Sequence, residues 1–183
     1  MKTVIAIPTM GNIKVDMFAS FVQLLTEDTS WVVTRHSVVY MAREELATKA
    51  KNAGAEYIFW VDSDMVSPPD TLQKLIADAK KGMDFVSALC FTKTTPPNPC
   101  IIKEFKDDKG IIYHNYPTNC VFQVAASGFG CCLMKTSLYE KGMFFPMPGW
   151  GGRLQFLLTA ERKRNQDVLR LKGQSRSCRG FYL

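Results

Sequence analysis

Strand-like and helix-like patterns of apolar residues alternate along the first ninety positions of the chain. Apolar runs at residues 3–7, 57–61 and 84–91 predict buried strands. Apolar residues recur at helical spacing over residues 17–25 and 41–50, and again in a helix that begins near Thr71. This alternation predicts an α/β fold with a mostly parallel central sheet flanked by helices.

The apolar run at residues 57–61 ends in two carboxylates, Asp62 and Asp64. Ligands bind at the carboxyl ends of strands in open α/β sheets. Side chains two residues apart on an extended segment point the same way, so both acids could share one divalent cation and a phosphorylated ligand. The alternative is that they cap the helix near Thr71 or mark a polar turn.

Later stretches carry weaker signals. Residues 31–33 and 38–39 are weak strand candidates, and residues 131–134 form a strand-like apolar run. Residues 101–102 and 111–113 flank D-D-K-G, which predicts a hairpin.

Composition bounds the class of protein. The chain of 183 residues is 46% apolar and 22% charged, as expected of one globular domain. It contains no apolar run long enough to span a membrane, and its start lacks a signal-peptide pattern, so we expect a cytoplasmic protein. The six cysteines show no C-x-x-C spacing and predict buried thiols.

The net charge of +6 comes from the end of the chain. Residues 1–150 carry fifteen basic and fifteen acidic side chains, whereas residues 151–183 carry eight and two. Eight basic residues could bind nucleic acid or an anionic surface. They lack interleaved aromatic residues and a known motif, so a solvated basic helix is favoured and nucleic acid is not the expected partner.

Several segments follow one another in a familiar order: V-I-A-I-P-T, M-A-R-E-E-L-A, Y-I-F-W-V-D-S-D-M, D-F-V-S-A-L-C-F, A-S-G-F-G-C-C-L-M-K and F-F-P-M-P-G-W-G. This series resembles small bacterial and phage glycosyltransferases of the GT-A fold, in the family-2-like group. The resemblance covers residues 1–151. It implies a three-layer GT-A domain there that binds a nucleotide sugar, and an aberrant basic tail over residues 152–183.

The resemblance implies a metal-dependent donor site. In this family the D-x-D motif holds Mn²⁺ or Mg²⁺ between the protein and the diphosphate of a nucleotide sugar, here of UDP or GDP type. Asp64 would be the main metal ligand, and Asp62 would contact the ribose or the metal. Ser63, between them, would belong to the same donor site.

The resemblance also assigns residues on three other segments to the donor site. Pro8 and Thr9 would edge the nucleoside pocket. Arg43 would lie near the base or phosphates, although a solvated helix face is the alternative, and Glu44 replaces the amide residue expected after the arginine. Gly128 would leave room for substrate; the alternative is an ordinary turn.

Trp150 would form a wall for a sugar ring, or lie in the core.

The resemblance ends after Gly151. The family continues with G-E-D, whose acid acts as general base on the acceptor, but this chain continues G-R-L-Q-F, so the base is missing and the catalytic residue and acceptor are unknown. One inserted nucleotide would explain the change, because the shifted frame permits E-D-F-S-F after Gly151 and a C-D-S…G-H-V-G text over residues 169–183. The sequence thus predicts weak donor binding, little or no transfer and a poorly packed tail.

Two other enzyme classes remain as alternatives. V-D-S-D-M-V also fits a haloacid-dehalogenase-type phosphatase, with Asp62 as nucleophile and Asp64 as general acid. In that class the motif usually follows the first strand. A nucleotidyltransferase would ordinarily show a Gly-rich basic loop after the first strand, whereas residues 8–12 contain one glycine and no basic residue.

Overall fold

The computed structural model describes residues 1–36, 38–107, 109–118 and 120–144. Helices and strands alternate through the first part of this region and strands dominate the second. In chain order the elements are β1 (Thr3–Thr9), α1 (Val15–Leu24), β2 (Thr29–Arg35), α2 (Val39–Asn52), β3 (Tyr57–Val61), α3 (Thr71–Ala79), β4 (Phe85–Ser87), β5 (Ile101–Lys106), β6 (Lys109–Ile112), β7 (Ala126–Ser127) and β8 (Cys131–Lys135). One turn of 3-10 helix, Thr136–Leu138, follows β8.

The main sheet has five strands in the order β2-β1-β3-β8-β4. β1 pairs in parallel with both β2 and β3, so Thr3 lies opposite Thr29 on one side and Tyr57 on the other. β8 runs antiparallel to β3 and to β4, and β4 therefore runs in the same direction as β3. Four of these five strands share one direction, which confirms the prediction of a mostly parallel sheet.

Helices cover both faces of this sheet and give it three layers. One face packs against α1 and α3, where Phe21 and Leu75 meet Phe59 in a single apolar cluster. The opposite face packs against α2, where Leu46 and Trp60 belong to a second cluster. All five residues of β3 are buried because successive side chains enter the two cores alternately.

A smaller sheet of three strands, in the order β6-β5-β7, is formed by the segment between β4 and β8. The hairpin expected from the D-D-K-G sequence is confirmed, because β5 and β6 pair antiparallel across a turn in which Asp107 has a φ of 48°. β7 joins the other side of β5 and leads to β8. The sequence did not predict this third strand.

Two predicted details differ from the structure. Residues 38–39 are not a strand, because α2 begins at Val39. The strand predicted over residues 84–91 is limited to β4. α1 buries Met17, Phe21 and Leu24 on one face, as helical spacing predicts.

Among the described helices, none combines the length and the apolar character that a bilayer crossing requires. Trp150, Cys178 and the proposed boundary between residues 151 and 152 lie outside the described residues. The two-part division of the chain remains a prediction.

Trp60 provides a direct test of the core. Its ring centre lies 5.3 Å from that of Phe144 and 5.8 Å from that of Phe129, and its indole Nε1 is buried without a hydrogen-bond partner in the described part of the chain. We expect Trp60→Ala to lower the free energy of unfolding by about 3–5 kcal/mol, because it leaves a cavity. Trp60→Phe should cost less than half as much, since it keeps a ring and removes an unpaired donor. Urea unfolding followed by circular dichroism measures both, and equal losses would contradict this description of the core.

Candidate functional site

Asp62 and Asp64 lie on a tight turn at the carboxyl end of β3, in the middle of the main sheet. The backbone N–H of Asp62 donates to the carbonyl oxygen of Gly130 at 2.9 Å, just before β8. The carbonyl oxygen of Asp62 accepts from the N–H of Met65 at 3.0 Å. Backbone bonds on both sides therefore fix the position from which the two carboxylates project.

Arg43 of α2 is buried and forms an ion pair with Asp62. Its Nη2 donates to Oδ1 of Asp62 at 2.9 Å. Its guanidinium carbon lies 5.2 Å from the ring centre of Phe129, within the range of a cation–π contact. The alternative of a solvated helix face is therefore wrong for Arg43.

The environment of Asp62 acts on its pKa in both directions. Burial raises the pKa of this carboxyl above its usual value, and the charge and hydrogen bond of Arg43 act to lower it. The nearby charge of Asp64 raises it further. The side chain is still 34% exposed, so the carboxylate remains accessible from the edge of the sheet.

Asp64 is more exposed and has a different partner. Its Oδ2 accepts a hydrogen bond from Nζ of Lys93, which lies in the loop between β4 and β5. Neither acid caps the next helix, because Asp70 is the N-cap residue of α3. The helix-capping alternative for the D-x-D motif is therefore wrong.

The donor atoms at this turn suit a divalent cation that is shared with a phosphorylated ligand. Within residues 1–36, 38–107, 109–118 and 120–144, no group of three or more His, Cys, Asp or Glu side chains is placed to hold a metal alone. Mg²⁺ is usually bound by one or two carboxylates together with substrate phosphates. The pair of carboxylates fits that mode better than a cage made only of protein ligands.

The carboxyl end of β1 lies beside this turn, because β1 and β3 are parallel neighbours. Pro8 and Thr9 are buried at the end of β1. The Thr9 hydroxyl accepts from the N–H of Gly11 at 3.0 Å and donates to the carbonyl oxygen of Asn12 at 3.1 Å. Thr9 thus holds its own loop in shape at the edge of the sheet.

The comparison with known families gives one matching family model. The family model described as "Glycosyl transferase family 2" matches residues 28–142, well over half of the chain. The chain belongs to glycosyl transferase family 2. The match includes Arg43, Asp62 and Asp64, whereas Pro8 and Thr9 precede it.

Solved structures support the same fold for this family 2 chain. The crystal structure of A197 from STIV aligns with a TM-score of 0.61 at 21% sequence identity, over 87% of this chain and 78% of that one. No curated protein matches the chain. Family 2 membership leaves the phosphatase and nucleotidyltransferase interpretations without support.

Two glycines near β8 have different surroundings in this family 2 chain. A side chain at Gly128 would place its Cβ 3.1 Å from Cβ of Cys100, so the glycine allows two backbones to approach. Gly130 is the one that faces the acids, since a Cβ there would lie 3.6 Å from Oδ2 of Asp62. Sequence reasoning selected Gly128 and missed Gly130, although S-G-F-G contains both; the donor role of Gly128 remains a prediction.

Glu44, which replaces an expected amide residue, organises the chain after β8. Its carboxylate accepts from the Tyr139 hydroxyl at 2.8 Å, from the N–H of Gly142 at 2.5 Å and from the N–H of Phe144 at 3.5 Å. An acceptor with two oxygens suits these three donors. Glu44 thus anchors the last described residues to α2, a role that sequence reasoning missed.

Glu45 links α2 to the end of β2. It contacts Nζ of Lys49 at 2.5 Å and Nε2 of His36 at 2.6 Å. Hydrogen bonds from Lys49, His36 and Thr34 lower the pKa of Glu45 to about 2. This cluster fixes the end of β2 beside the Pro8–Thr9 loop; Glu45 and Lys49 have the i,i+4 spacing of a helical ion pair, but no spacing indicated the contact with His36.

The opposing effects on Asp62 give a measurable prediction. Arg43→Met should raise the pKa of Asp62 further, because it removes the charge that favours the carboxylate. Asp64→Asn should lower the same pKa, because it removes a neighbouring negative charge. Titration of the Asp62 carboxyl carbon by NMR measures both shifts. Shifts of the same sign in the two variants would contradict the geometry, and circular dichroism checks that each variant is folded.

Proposed function

We propose that the chain binds a nucleoside diphosphate sugar, of UDP or GDP type, through a divalent cation on Asp62 and Asp64. The cation is Mn²⁺ or Mg²⁺. The protein is related to enzymes that transfer the sugar of such a donor to an acceptor. The acceptor and the sugar are not specified by the residues described above.

One observation carries this proposal. Two carboxylates separated by one residue project from the carboxyl end of the central strand, in a chain whose family is glycosyl transferase family 2. That edge of an open α/β sheet is where ligands bind, and a pair of carboxylates is the protein share of a cation–diphosphate site.

Each side chain at this edge has a separate task in the proposal. Asp64, the more exposed acid, is the main ligand of the cation, and Asp62 supplies a second oxygen. Arg43 holds Asp62 in one orientation and favours its charged form. When bound, the cation would act as a Lewis acid that neutralises charge on the departing diphosphate.

The remaining donor contacts come from the neighbouring loops. Pro8 and Thr9 line one side of the nucleoside pocket in this proposal, because the end of β1 lies next to the end of β3. Ser63 and Gly128 complete the donor side. Thr9 maintains the shape of the loop that follows β1.

We assign the cytoplasm as the compartment of this activity. Cys90, Cys131 and Cys132 are buried free thiols. Free thiols are typical of a reducing compartment.

Metal binding tests the proposal directly. We expect the protein to bind Mn²⁺, measured by electron paramagnetic resonance of the free ion, and to bind UDP or GDP more tightly when Mn²⁺ is present. Asp64→Asn should weaken Mn²⁺ binding at least about tenfold, because it removes a ligand. Asp70→Asn is the matched control, since Asp70 is the half-exposed N-cap residue of α3 and pairs with Lys74. Equal Mn²⁺ affinity in all three proteins would refute the site.

Sugar transfer should be much slower than in an enzyme that has the general base, even where the donor binds. The family places its general base directly after the segment that ends at Gly151, and Gly152 and Arg153 stand there instead. Removal of a general base typically costs about 10²–10⁴-fold in rate. Release of UDP or GDP from a panel of nucleotide sugars measures turnover, and transfer at a rate typical of an intact enzyme would show that another residue supplies the base.

A further inference from the structure

Lys93 is a basic side chain at the acids that no motif assigned to the site. Its Nζ donates to Oδ2 of Asp64, although the two residues are separated by 29 positions. Both partners are accessible, with 68% of the lysine side chain and 44% of the aspartate side chain exposed. The contact therefore lies on the open side of the D-x-D turn.

The loop that carries Lys93 is closed by its own hydrogen bonds. The N–H of Thr92 donates to the carbonyl oxygen of Asn98 at 2.8 Å, and the N–H of Asn98 donates to the Thr92 hydroxyl at 2.9 Å. Phe91 and Pro99 form a β-bridge at the base of the loop. The backbone thus brings Lys93 to Asp64, while the long side chain keeps its freedom to turn.

The charges at the turn balance in two states. Arg43 and Lys93 contribute two positive charges, and Asp62 and Asp64 contribute two negative charges. A divalent cation adds two positive charges and the diphosphate of a nucleotide sugar adds two negative charges. The sum is therefore zero both without and with the cation–donor pair.

Oδ2 of Asp64 cannot bind the ammonium group of Lys93 and a divalent metal ion equally well at the same time. A metal ion bound to Oδ2 would displace the lysine ammonium from it. An exposed ion pair is weak, so this displacement is easy. The displaced ammonium would stay next to the bound diphosphate, where it can donate charge-assisted hydrogen bonds to phosphate oxygens.

We propose that Lys93 is a donor-binding residue that exchanges partners: it holds Asp64 while the site is without donor, and it binds the donor diphosphate once a divalent cation occupies Asp64. This inference rests on the proposed function. It adds a residue from the loop between β4 and β5 to a site otherwise built from β1, α2, the turn after β3 and Gly128. It also gives Asp64 a counter-ion before the cation arrives.

The exchange predicts effects of opposite sign in one variant. Lys93→Gln should bind Mn²⁺ alone about two- to fivefold more tightly, because the competing ammonium is gone. The same variant should bind UDP or GDP at saturating Mn²⁺ about tenfold more weakly, because a charged donor to phosphate is gone. Electron paramagnetic resonance measures the first affinity and calorimetry the second.

Lys74→Gln is the matched control. Lys74 pairs with Asp70 at 2.7 Å, and 46% and 49% of the two side chains are exposed, so this variant removes the same charge from a comparable pair away from the acids. It should leave both affinities unchanged.

The outcomes separate the two proposals. If wild type binds Mn²⁺ and Asp64→Asn does not, but Lys93→Gln changes neither affinity or changes both in the same direction, the role of Lys93 is overturned and the metal site stands. If wild type binds no Mn²⁺, the proposed function and the role of Lys93 are both overturned.

Discussion

The ion pair between Arg43 and Asp62 is the interaction on which the arrangement of the site depends. It joins the middle of α2 to the end of β3 across the face of the sheet. Burying both partners costs solvation free energy, and such pairs often contribute little net stability compared with apolar residues of the same size. The value of this pair is geometric, because it fixes one oxygen of Asp62 toward the core and leaves the rest of the carboxylate at the edge. Phe129 completes the environment by placing its ring against the guanidinium group.

Three consecutive residues of α2 each hold a different part of the fold at this edge. Arg43 holds the end of β3, Glu44 holds the chain at Gly142, and Glu45 holds His36 after β2. On a helix, consecutive side chains point about 100° apart, so one turn can reach three elements. The E-E pair in M-A-R-E-E-L-A contacts residues that follow β8 and β2. One helical turn thus sets the positions of three segments of the chain.

Local sequence signals predicted the parts of this protein that depend on local physics. The alternation of elements, the fully apolar β3, the α2 helix and the β5–β6 hairpin all follow from periodicity and turn residues, and the structure confirms them. The mostly parallel sheet follows from the same alternation. Val38 and Val39 were misread because β-branched residues favour strands, whereas the packing of Leu46 and Ala47 on the sheet decides in favour of a helix there.

The partners of the site residues were not predictable, because they come from distant positions in the chain. Nothing near Asp64 indicates that Lys93 returns to it, and nothing near Glu44 indicates three donors almost a hundred residues away. Gly130 shows the same limit, since its proximity to Asp62 depends on the antiparallel pairing of β3 with β8. The apolar run of β3 and the D-x-D pattern singled out the acids, but only the folded chain shows that each acid already has a basic partner. A motif in a sequence thus indicates candidate residues, whereas their charged partners follow from tertiary structure.

The proposed donor site and the base needed for transfer lie on different stretches of the chain. Every residue of the proposed donor site lies between positions 8 and 128, and the described members of the two apolar clusters lie between positions 1 and 144. The general base expected from the family would come from the sequence after Gly151, where the charge balance also changes. Binding a diphosphate through a cation requires fixed carboxylates and a counter-charge, which this part of the chain contains. Transfer also requires a proton acceptor at the acceptor hydroxyl. The two requirements are met by different stretches of sequence. A chain that keeps the carboxylates and their counter-charge but has a changed segment after Gly151 would therefore retain affinity for a nucleotide and lose transfer rate.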